Sequence, residues 1–65
     1  MTKELKILRI KHDITQEVVA EKLGVKKPTY CRKEKGEIAF SLQDIKVLKE
    51  LYNLTTEEVV QIFLT

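Results

Sequence analysis

The sequence predicts an all-α domain of five short helices, and three observations predict it. Apolar residues recur at the three- and four-residue spacing of helix faces, with no strand alternation. Residues that begin or end helices fall between those segments: Thr15, Gly24, Pro28, Gly36, Ser41, Asn53 and the Thr55/Glu58 pair. No repeat, low-complexity tract or linker interrupts the 65 residues, so 1–65 reads as a single domain.

Leu5 and Leu8, three apart and flanked by Ile7 and Ile10, place the first helix over about residues 2–12, and Asp13 breaks it. Thr15 suits the cap of a second helix because its hydroxyl accepts from an orphan amide of the first turn. Val19, Ala20 and Leu23 form that helix's buried face, Gly24 supplies the left-handed residue that ends it, and Val25 plugs the turn. A third helix begins near Lys27, where Pro28 sits in the first turn and gives up no needed amide. Gly36 ends it, and residues 37–40 form a loop. Ser41 caps a fourth helix whose inward face is Ile45, Leu48, Leu51 and Tyr52, with Asn53 as its left-handed terminator. Thr55 and Glu58 have capping-box spacing for a fifth helix with Val59, Ile62 and Phe63 inward.

Composition narrows the classes of function. The chain is 43% apolar and 34% charged, which fits a soluble folded domain. Apolar runs stay far below the ~20 residues that span a bilayer, so no membrane partner is expected. No secretory leader is read, and the single cysteine, Cys31, cannot form an internal disulfide; a cytoplasmic location is the simplest. One Cys and one His cannot complete a four-ligand zinc site, so Cys31 reads as a space-filler or surface thiol and His12 as a helix-end side chain. No nucleophile–base set, catalytic carboxylate pair or phosphate loop stands out, so neither an enzyme, a cofactor nor a small-molecule ligand is expected. Charge is unevenly spread. Residues 26–36 hold five bases (Lys26, Lys27, Arg32, Lys33, Lys35) against Glu34, whereas residues 37–65 hold two bases against five acids. Such a local basic cluster is the footprint of a polyanion binder.

Two short helices joined by a tight glycine turn have helix-turn-helix geometry. The stretch "TQEVVAEKLGVKKPTYCRKEKG" resembles the lambda-repressor-like (Cro/repressor) helix-turn-helix family through Thr15, Gln16, Val19, Ala20, Leu23, Gly24, Val25, Glu34 and Gly36. The tail "SLQDIKVLKELYNLTTEEV" is similar to that family's fourth helix and the start of its fifth, so the resemblance covers about residues 4–63. It implies a compact five-helix bundle that binds DNA. Three positions depart from the family pattern. Lys26 stands where a serine or threonine cap is frequent, Lys33 where a large apolar residue is usual, and Phe40 where proline is common. The two lysines add charge to the expected DNA face, Lys33 with its stem on the core and its ammonium in solvent.

The resemblance also implies roles. With the third helix in a major groove, Lys27 and Arg32 are placed to donate to a guanine, and Pro28 and Thr29 to meet a thymine methyl, Thr29 also offering its hydroxyl. The alternative for Arg32 is a phosphate contact or a solvated side chain. Gln16, at a helix start with unpaired amides, suits a phosphate, as do Lys26 and Lys35; solvated surface positions are the alternative for all three. Similar proteins pair an arginine of the first helix with a glutamate near the end of the third, here Arg9 and Glu34. The family's core position falls on Tyr30, expected as a partly buried ring whose hydroxyl reaches the surface. Val60 and Leu64 lie four apart beside the inward stripe of the fifth helix and are expected as a dimer interface, or else as closure of the monomer core.

The leading reading is a sequence-specific regulator, a repressor in the first instance, binding double-stranded DNA as a homodimer on a pseudo-palindromic site. The alternative is a protein-interaction module on the same fold, an antitoxin or anti-repressor whose basic helix meets an acidic partner.

Overall fold

The computed structural model describes residues 2–64, which form five helices: α1 (Thr2–Lys11), α2 (Gln16–Leu23), α3 (Lys27–Glu34), α4 (Leu42–Leu51) and α5 (Thr56–Phe63). No strand occurs among the described residues.

Caps set where the helices begin. Thr15 accepts from the Val18 amide at 3.2 Å, and Thr55 and Glu58 exchange bonds in a full capping box. Ser41 makes a second such box with Asp44, a shorter acid than the usual Glu. Lys26 stands at the cap of α3 with no side-chain bond to offer.

One device ends four of the five helices. Asp13, Gly24, Gly36 and Asn53 all take positive φ. The amide that follows each of them reaches back five residues: Ile14 to Arg9, Val25 to Ala20, Glu37 to Arg32 and Leu54 to Lys49. This closes the orphan carbonyls and turns the chain sharply. Three of the four following residues, Ile14, Val25 and Leu54, are apolar and join the core, so each turn also contributes packing. At Gly24, with φ +72, a Cβ would meet nothing within 4 Å; only backbone strain favours glycine there.

The core gathers Leu5 of α1, Val19 and Ala20 of α2, Tyr30 of α3, Leu48 of α4, Tyr52, Leu54 and Ile62 of α5. Phe40 plugs the α3–α4 loop edge-on against Phe63, with ring centroids 5.5 Å apart. Two expectations fail here. Tyr30 is wholly buried, and its hydroxyl, like that of Tyr52, meets no hydrogen-bond partner. The whole ring is taken into the core, so the hydroxyl is buried with it. Lys33 is also buried, because it shares the inward stripe of α3 with Tyr30 and Glu34. Its ammonium turns to a partner within the fold, and the side chain is only 11% exposed. It donates to Asp44 Oδ2 at 2.6 Å and lies 3.4 Å from the Ala39 carbonyl.

Candidate nucleic-acid interface

Burial divides α3 into two faces. Tyr30, Lys33 and Glu34 point inward, while Lys27, Pro28 and Arg32, with Lys35 just past the helix end, are exposed. Pro28, Arg32 and Lys35 follow at four- and three-residue steps and so form one outward ridge. Thr29 is half-buried at its flank. Cys31 also lies on this side, half-buried and four residues from both Lys27 and Lys35; that spacing was visible in the sequence. Lys33 is turned away from the outward side by its buried pairing, which corrects the number of bases expected on that side from five to four.

Three helices meet on one carboxylate. Glu34 Oε1 accepts from Arg9 Nε of α1 at 3.3 Å, and Oε2 accepts from Gln16 Nε2 of α2 at 2.8 Å. Arg9 also donates to the Ile14 carbonyl at 3.2 Å. The Arg9 and Glu34 side chains are 14% and 6% exposed, so this network is shielded from water and salt. Gln16 is thereby held in place at the start of α2 with one amide hydrogen still available. Among the described residues nothing accepts from the Gln16 and Glu17 backbone amides, since Thr15 caps only Val18. The positive end of α2 therefore opens beside the outward ridge of α3.

Lys27, at the start of α3, lies 3.8 Å from Glu17, both well exposed. An exposed pair of this kind is weak and salt-screened, so it leaves Lys27 able to exchange Glu17 for another acceptor.

Two kinds of buried group titrate abnormally. Burial opposes the Asp44 carboxylate, but hydrogen bonds from Lys33 and the Ser41 amide outweigh it and hold its pKa below the ordinary value. Burial raises both tyrosines, Tyr52 to about 12 and Tyr30 further, with Glu34 and Tyr52 adding to the effect on Tyr30.

Val60 and Leu64 stand on the side of α5 away from the core, 43% and 71% exposed. No described helix is long and apolar enough to cross a membrane.

Comparison with known proteins agrees with this architecture. A family profile described as a helix-turn-helix domain matches residues 1–61. The cryptic phage CTXphi transcriptional repressor RstR of Vibrio cholerae is 35% identical over 57 residues, which are 88% of this chain and 51% of that protein. The chain thus spans about half the length of the curated relative it matches. No solved structure matches it. With the profile covering all five helices nearly to the end of α5, the chain belongs to the helix-turn-helix domain family.

Proposed function

We propose that this protein is a sequence-specific DNA-binding regulator that acts as a repressor, in a single domain of residues 1–65. The observation that carries the reading is the pairing of two features on one face. One is the exposed ridge of α3 with Lys27, Pro28, Arg32 and Lys35; the other is the adjoining open N-terminus of α2. The first part of α3 enters the major groove, with Lys27 and Arg32 donating to base edges and Pro28 and Thr29 making apolar contacts. Gln16, Lys26 and Lys35 hold the flanking phosphates and fix the register. The relative's name supplies repression, and occlusion of the transcription start is the physical means. The protein works by binding, without catalysis, in the cytoplasm where the duplex lies.

The described chain is 28 Å in its longest dimension, less than the ~34 Å of one duplex turn. One copy therefore reads one half-site, and a two-fold dimer through Val60 and Leu64 reads two half-sites on the same side of the duplex.

Selection of random duplex DNA by the purified protein at about physiological salt tests the reading. An enriched pseudo-palindrome with half-sites about one turn apart is expected. Its affinity should fall roughly 10³- to 10⁵-fold between 50 and 200 mM salt if a dimer neutralises about 6–10 phosphates. No enrichment by folded protein refutes it.

A further inference from the structure

We infer that α1 joins the interface: Lys3 and Lys6, together with Lys35, form a notch that grips a DNA phosphate beside Gln16. The inference rests on the DNA-binding reading above and extends its footprint to a helix outside the α2–α3 pair.

The notch is an open depression of about 210 Å³ lined by Lys3, Lys6, Gln16, Glu34 and Lys35. Lys3 and Lys6 are three apart and share one side of α1, while Lys35 comes from the end of α3. All three are exposed, and Lys6 and Lys35 have no carboxylate within ion-pair distance among the described residues. Glu34 is the one acid in the lining, and both of its oxygens are already taken, by Arg9 and by Gln16. Its charge is answered from within the fold, so it does not offset Lys6 and Lys35.

A second depression, of about 390 Å³, lies on the other side of Gln16 and receives Lys27 from the start of α3. Asp13 and Glu17 line it, and Glu17 is close to Lys27. Those carboxylates offset Lys27 there, so of the two hollows flanking Gln16 the lysine notch carries the larger excess of positive charge for the oxygens of a backbone phosphate.

The test compares the selected duplex site with wild-type protein, the double variant Lys3→Gln/Lys6→Gln, the charge-retaining Lys6→Arg, and Lys46→Gln/Lys49→Gln. Lys46 and Lys49 border a separate hollow on α4, so that last variant removes the same charge elsewhere. Circular dichroism melts establish that each is folded; the exposed side chains predict little change. A dimer that loses one phosphate contact per protomer should show a log affinity against log salt slope shallower by about 2. Affinity near 0.1 M salt should fall roughly 10- to 100-fold, equally on matched and mismatched sites. Lys6→Arg and the α4 variant should keep the wild-type slope. If wild type binds and the double variant keeps both slope and affinity, the notch is overturned while the DNA-binding reading stands. An equal slope change in the α4 variant also overturns it, because net charge alone then explains the effect. If folded wild-type protein binds no duplex, the parent reading fails and this inference fails with it.

Discussion

The Lys33–Asp44 pair yields the sharpest prediction. Its Nζ–Oδ2 distance is 2.6 Å and both side chains are 11% exposed. At an effective dielectric of about 20 the gross attraction is about 6 kcal/mol, and desolvation of two ions takes back several kcal/mol each. The pair is therefore close to neutral against an uncharged replacement, yet either charge alone is stranded. Lys33→Met leaves Asp44 buried with only its Ser41 contacts. Asp44→Asn leaves the Lys33 ammonium with the Ala39 carbonyl at 3.4 Å and the Phe40 ring at 5.8 Å. Each single change should cost about 3 kcal/mol. A domain of this size has about 3–10 kcal/mol in total, so either variant should be close to unfolding. The double variant should recover to within about 1 kcal/mol of wild type, because the side-chain carbonyl that Asp44→Asn retains can still accept from the Ser41 amide. Urea unfolding followed by circular dichroism, with equal m-values, reads the cycle. Singles that add to the double within about 0.5 kcal/mol would refute the reasoning. The pH sign follows from the depressed Asp44 pKa. The pair's stabilisation is complete above the unfolded carboxylate value near ~3.9 and is lost as pH falls through the lower folded value. The coupling should vanish along that acid limb.

Other outcomes follow from the same structure. Arg32→Ala should weaken binding to the selected site by about 1–3 kcal/mol and relax preference at one base pair; an equal loss on every sequence would make Arg32 a phosphate ligand. Glu34→Gln should cost about 3 kcal/mol of stability, since it strands the half-buried Arg9, and should weaken DNA binding through the displaced Gln16; an unchanged melt and affinity would dismiss the network. Raised tyrosine pKa values mean that the folded chain holds protons which the unfolded chain releases near ~10. The stability they carry is present below that pH and is lost as pH rises toward about 12, so alkaline unfolding should coincide with tyrosine ionisation. Ionisation at the ordinary pH with the fold intact would contradict this. Leu64→Lys should lower the dimer fraction in sedimentation; an unchanged profile would remove Leu64 from the interface.

The helix boundaries were legible because they are set by neighbours in sequence. Thr15, Ser41 and Thr55 cap across three residues, and Gly24, Gly36 and Asn53 terminate across five. What escaped the sequence depends on packing between distant elements. The period of α3 already placed Lys33 on the inward stripe with Tyr30, but its residue type argued for solvent. Only the approach of α4, which brings Asp44 within reach, reverses that argument. Asp44 in turn was hidden by doing two jobs, since Ser41 alone explained the cap. The inward hydroxyl of Tyr30 likewise depends on how deeply α3 sits, which no local pattern states. In the candidate interface, the outward spacing of Pro28, Arg32 and Lys35 could be read directly. That Gln16 shares Glu34 with Arg9 could not, because the three residues lie on three different helices.

The inward stripe of α3 also bears on how its outward residues are aimed. Tyr30 anchors the helix by close packing at the centre of the core. Lys33 and Glu34 are adjacent and oppositely charged, and they are tied to different neighbours. Lys33 holds the cap of α4, and Glu34 holds α1 and the start of α2. Hydrogen-bonded charges are directional, so the two ties hold α3 against different elements. Arg32 precedes this pair and Lys35 follows it, so the ties bracket the residues whose direction matters for reading a groove. The buried lysine leaves four exposed bases on this segment in place of five and ties α3 to the cap of α4.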